Sequence, residues 1–121
     1  MPIKKVLVVD DSATERHHLN DILSKAGYTV AFAFNGEDGV AKARSDKPDL
    51  VVMDVVMPGL NGFQACRTLT QDPEVKHIPV ILCTTKNQET DKIWAMRQGA
   101  KAYVTKPVDG ADLLKKIAAL G

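Results

Sequence analysis

Lys5-Val6-Leu7-Val8-Val9-Asp10-Asp11-Ser12 decides the fold. Four unbroken apolar positions, Val6 to Val9, have strand length, and the lack of alternation means burial on both faces. The acid pair ends the run. Ser12, with Glu15 three residues on, reads as a capping box that opens a helix. The same unit recurs along the chain: apolar runs at 5–9, 29–34, 50–53, 79–83 and 102–105 alternate with helical periodicities near 12–26, 36–46, 62–71, 87–98 and 109–119. Asn61 with Gln64 reads as a second capping box, and Asn35 and Asp109 fit N-caps. Gly27 and Gly99 stand where a left-handed residue would close the first and fourth helices. Strict strand–helix alternation predicts an α/β fold: a five-stranded parallel sheet, doubly wound, with helices on both faces. Ligands of such folds bind beyond the carboxyl ends of the strands.

Composition narrows the class. At 121 residues the chain has the size of one domain, and no linker, repeat or low-complexity tract divides it, so 1–121 reads as a single domain with no output domain after Gly121. Sixteen Lys and Arg against fifteen Asp and Glu give a net charge of +1, which offers no basic excess for a nucleic-acid backbone. No apolar stretch approaches the roughly 18 residues of a membrane span, and the N-terminus meets Asp10 and Asp11 too early for a signal peptide. Cys66 and Cys83 then read as free thiols of a reducing cytoplasm.

Acidic and hydroxyl residues gather at the predicted strand ends. The first strand ends in Asp10-Asp11, the third in Asp54, the fourth in Cys83-Thr84-Thr85 and the fifth in Thr105-Lys106-Pro107. If the first and third strands are neighbours, three carboxylates meet and repel unless a hard divalent cation joins them, and Mg²⁺ suits few carboxylates plus water. Lys106 adds a positive charge from the other side. Such a pocket suits a phosphoryl group, with Asp54 as nucleophile, its carboxylate exposed at the rim. Asp10, Asp11 and the Val56 backbone carbonyl would complete the metal site, and Thr84 would offer its hydroxyl to a phosphoryl oxygen. Taken singly, each residue has a plainer reading: Asp54 as a turn former, Asp10 or Asp11 as a helix cap, Lys106 as a solvated surface lysine. The joint arrangement outweighs them.

These residues resemble the receiver domain of bacterial two-component response regulators (the CheY-like family). The resemblance rests on Val8-Val9-Asp10-Asp11, Val52-Met53-Asp54-Val55-Val56-Met57-Pro58-Gly59-Leu60-Asn61-Gly62, Thr84-Thr85 and Tyr103-Val104-Thr105-Lys106-Pro107. It implies a flavodoxin-like strand order of 2-1-3-4-5, a cis Lys106-Pro107 bond and a Mg²⁺-dependent transfer from a phosphohistidine of a sensor histidine kinase (CheA-like) to Asp54. It implies a phospho-accepting switch that catalyses its own phosphorylation and dephosphorylation, not an enzyme turning over external substrates. In that family Thr84 moves inward on phosphorylation and Tyr103 follows, changing the face of helix four, strand five and helix five. For Tyr103 a half-buried strand residue with a wet hydroxyl is the plainer reading. Val56 and Lys86 fall where the family tunes acyl-phosphate lifetime, and the apolar Val56 is expected to hinder water.

The stretches 58–65 and 84–100 are similar to PilH-type regulators of type IV pilus twitching motility and phototaxis. A stand-alone, monomeric, cytoplasmic regulator is therefore expected, signalling to a downstream motility protein by contact, with no nucleic acid and no membrane insertion. A chemotaxis-type regulator of another pathway, a phosphate sink and a phosphate-independent scaffold remain as alternatives. A flavodoxin-like mononucleotide binder would need a Gly/Ser/Thr-rich first loop, where Asp10-Asp11-Ser12 stands. An aspartate-nucleophile phosphatase would want an acid where Val56 stands, and no Gly-Lys-Ser/Thr phosphate loop is present. His17 and His18 read as surface residues of the first helix, Cys66 and Cys83 as packing residues. Ile93 and Met96 read as core-facing, with Trp94 beside them partly buried.

Overall fold

The computed structural model describes residues 3–85 and 89–121. Ten elements alternate: β1 Lys5–Val9, α1 Ala13–Lys25, β2 Thr29–Ala33, α2 Gly36–Asp46, β3 Leu50–Asp54, α3 Gly62–Gln71, β4 Val80–Thr84, α4 Glu89–Arg97, β5 Ala102–Thr105 and α5 Gly110–Leu120. The strands form one sheet in the order β2-β1-β3-β4-β5, every pair parallel. The fold class and strand order expected from the sequence are those found. No helix among the described residues is long and apolar enough to cross a membrane.

Strand alternation divides the apolar residues between two cores. Leu7 and Val9 of β1, Val51 and Met53 of β3, and Val80 and Leu82 of β4 face one side, where α2, α3 and α4 pack through Ala43, Cys66, Leu69 and Ala95. Val6 and Val8, Leu50 and Val52, and Ile81 and Cys83 face the other, against Leu19 and Leu23 of α1 and Leu113 and Ile117 of α5. Both faces are covered, which is why these strands read as continuous apolar runs. Each fully buried leucine contributes about 1.5–3 kcal/mol of transfer free energy, so Leu7, Leu23, Leu50 and Leu113 anchor the two layers.

Caps set the helix ends. Asn61 and Gln64 form the complete reciprocal capping box of α3, and the Asn35 and Asp109 side chains accept from Asp38 N–H and Ala111 N–H. Gly27 and Gly99 hold φ of +96° and +97° just past α1 and α4, as their positions predicted. Lys47 closes α2 with φ +46°, a left-handed residue that no glycine announced. Ser12 caps α1 by accepting from Glu15 N–H, but no return bond from Glu15 is present: Ser12 N–H donates to Asp10 Oδ1 instead. The expected box is half formed.

Three expectations need correction. β4 begins at Val80 and runs through Thr84, and β2 stops at Ala33, leaving Phe34 exposed beneath the Arg16 guanidinium, 4.2 Å from its ring centroid. Ile93 and Met96 do not face the core: they are 47% and 50% exposed, beside Trp94 at 50%. The inward positions are Asp91 and Ala95 of α4 and Gln98 just past its end, small or polar side chains in place of large apolar ones. Apolar spacing alone points the wrong way there.

Candidate functional site

The register of the central strands builds the site. β1 and β3 are neighbours, with Val9 opposite Met53, so the residue after β1 and the last residue of β3 emerge side by side. Those residues are Asp10 and Asp54. Asp10, Asp11 and Asp54 each offer a carboxylate oxygen within 4.8 Å of the others.

Asp10 is buried and fixed from all sides. Its N–H donates to Ala33 O at 3.1 Å, its Oδ1 accepts from Ser12 N–H at 3.0 Å, and its carbonyl accepts from Arg16 Nη1 at 2.8 Å. Asp11 is exposed. Asp54 ends β3 opposite Cys83 and is buried at 7% exposure, which corrects the expectation of an open rim position.

Lys106 follows β5 and reaches back across the sheet edge. Its N–H donates to Thr84 O at 2.8 Å, and its bond to Pro107 is cis, as the resemblance implied. The Nζ donates to Asp10 Oδ2 at 2.9 Å and lies 3.3 Å from Asp54 Oδ1 and 4.0 Å from Glu15 Oε2. One ammonium thus faces Asp10, Asp54 and Glu15. Burial pushes the Asp54 carboxyl above the usual carboxylate range and Asp10 adds to the rise, while Lys106 and the Val56 N–H oppose it. Burial works against the Lys106 charge, yet the hydrogen bond and charge of Asp10, together with Asp54, hold its pKa above the ordinary lysine value.

Thr84 ends β4, fully buried, one residue beyond the partner of Asp54. Tyr103 packs half-buried against the α2–α3–α4 core, and burial followed by the Asp91 charge pushes its hydroxyl up to about 12. Val56 is 59% exposed, two residues beyond Asp54. Lys86 lies outside the described residues. His17 stays on the surface of α1, while a His18 ring nitrogen donates to Val108 O at 3.0 Å and ties α1 to the start of α5. Two contributors were not legible beforehand: Arg16 as a clamp on the Asp10 carbonyl, and Glu15 as a neighbour of Lys106. Their sequence context signals only the first turn of a helix.

The oxygens of Asp10, Asp11 and Asp54 form a hard, anionic donor set with less positive charge nearby than negative, which fits Mg²⁺. The chain matches the response regulator receiver domain over residues 6–118. It belongs to the response regulator receiver family. This receiver is 60% identical over 116 residues to Protein PilH of Pseudomonas aeruginosa, covering 96% of each chain. It is 43% identical over 116 residues to the chemotaxis protein CheY of Thermotoga maritima, covering 94% of each. A crystal structure of a putative response regulator from Chloroflexus aurantiacus superposes with a TM-score of 0.92 at 30% identity, over 99% of this receiver and 98% of that chain. The receiver is accordingly a signalling regulator of the two-component class, related to both Protein PilH and a chemotaxis protein.

Proposed function

We propose that this receiver accepts a phosphoryl group on Asp54 from the phosphohistidine of a CheA-like sensor kinase. It passes the signal on by protein contact, in type IV pilus twitching motility or taxis. The observation that carries the reading is the Lys106 ammonium, held 2.9 Å from Asp10 and 3.3 Å from Asp54 at the mouth of a three-carboxylate cluster. The 60% identity to Protein PilH supports the pathway.

In this reading an Asp54 oxygen attacks phosphorus while the phosphorus–nitrogen bond of the donor breaks. The histidine nitrogen keeps the bonding pair and takes up a proton, and Asp54 becomes an acyl phosphate. Asp10, Asp11, Asp54 and the Val56 carbonyl would hold Mg²⁺, which when bound supplies charge neutralisation for the phosphoryl oxygens. Lys106 orients and neutralises a phosphoryl oxygen from the opposite side, and Thr84 donates its hydroxyl to another. Burial of Asp54 keeps bulk water from its carboxyl group. Thr84 and Tyr103 then carry the change to the face of α4, β5 and α5, where a downstream motility protein docks. Ile93 and Met96 stand exposed on α4.

The test is intact mass after incubation with a small phosphodonor and Mg²⁺. One added phosphoryl group is expected in the parent, and none in Asp54→Asn or without Mg²⁺. A folded parent that gains no phosphoryl group under any condition would leave a phosphate-independent scaffold as the function.

A further inference from the structure

Helix α1 opens on a capping signal that its own site diverts. A complete box would return the Glu15 carboxylate to Ser12 N–H, but that donor is spent on Asp10 Oδ1 at 3.0 Å. Glu15 keeps its place, because its N–H still donates to Ser12 Oγ at 3.3 Å. Its carboxylate lies over the site instead, with Oε2 4.0 Å from Lys106 Nζ. That oxygen is buried and, among the described residues, accepts no hydrogen bond. A buried anionic oxygen without a donor is costly. An ammonium with three donors stands one short movement away.

We propose that Glu15 is a positioning residue for Lys106: its carboxylate receives the ammonium when Asp10 and Asp54 give their oxygens to a divalent cation. The inference rests on the reading of Asp10, Asp11 and Asp54 as a cation site. Lys106 and a cation compete for the same carboxylates, because the ammonium sits on Asp10 Oδ2 and beside Asp54 Oδ1. Lys106 is itself nine-tenths buried at its side chain, so leaving those oxygens without a new acceptor would strand a charge. Glu15 is the acceptor already in place. It lets the cation enter without that cost, and in its absence the ammonium holds its ground.

A negative charge near a cation site also attracts the cation directly, and the experiment separates the two effects. Mg²⁺ binding to the full chain is measured by isothermal titration calorimetry in the parent, Glu15→Gln, Lys106→Met and the double variant. Urea unfolding shows that each is folded. Glu15→Gln is isosteric and retains the N–H that Ser12 caps. The expected result is about fivefold weaker Mg²⁺ binding on Glu15→Gln when Lys106 is present, and less than about twofold change when Lys106 is methionine. Equal losses in both backgrounds would overturn the proposal and make Glu15 a simple attracting charge. No loss in the parent background would overturn it as well. A folded parent that binds no Mg²⁺ would instead remove the cation-site reading, and this inference with it.

Discussion

Gly62 packs its Cα directly against the carbonyl of Asp54, with no room for a Cβ between them. Its N–H donates to Val55 O at 2.8 Å, so the turn after β3 folds back and closes on the strand that carries the site. Its φ is not in the left-handed region, and the requirement is therefore space. The atoms in the way are main chain and cannot step aside as a flexible side chain would. Gly62→Ala should lower stability by about 1–3 kcal/mol, read as a lower urea midpoint. A variant as stable as the parent would show that the turn is looser than described.

Val56 presents an exposed isopropyl group two residues beyond Asp54. An apolar group there offers no hydrogen bond to align an attacking water. In Val56→Asn, decay of the Asp54 acyl phosphate should become severalfold faster, followed by intact mass after the phosphodonor is removed. Unchanged decay would mean that water reaches the phosphoryl group by another side.

Both cysteines are buried, and burial pushes each thiol up to about 12. The thiolate is the reacting species, so at neutral pH neither Cys66 nor Cys83 should react with a disulfide reagent in the native protein. Both should react in denaturant. The Cys66 thiol also donates to Gln98 O at 3.5 Å, joining α3 to the end of α4. Rapid labelling of the native chain would reveal local opening at that joint.

Asp49 fastens the start of β1 to the start of β3. Its Oδ2 accepts the N–H groups of Lys5 and Lys4 at 2.9 Å each, and these bonds hold its carboxyl below the ordinary 3.8. A depressed carboxyl pKa stabilises the fold above the unfolded value and loses that contribution as pH falls through the folded one. Urea midpoints of the parent and Asp49→Asn should therefore differ at about pH 7 and converge as pH drops below about 3.8. A gap that is constant with pH would assign the effect to packing.

The fold was written in local patterns. Val6 to Val9 and Leu50 to Met53 read as doubly buried strands because a run without alternation leaves neither face to water. Asn35, Asn61 and Asp109 each mark a helix start through a bond that reaches two or three residues along the chain. The acids and Lys106 could be placed at strand ends by the same reasoning, and the family motif added the order of the strands. Helix α4 departs from its apolar spacing because its large apolar residues face outward, and the small Ala95 is buried instead.

The sequence by itself therefore determined the elements, the Asn35, Asn61 and Asp109 caps and the residue types at each strand end, since those depend on interactions within a turn or a strand. Tertiary structure alone decided that Asp54 is buried, that Lys106 rests on Asp10 from 96 positions away, and that Glu15 turns from its own cap toward that lysine. Strand packing buries Asp54, and the Lys106 contacts with Asp10, Asp54 and Glu15 join groups far apart in the chain. Asp10 takes the Ser12 N–H that would have completed the cap, which is a local contest, but the lysine that the Glu15 carboxylate then approaches comes within reach only once β1, β3 and β5 lie in one sheet.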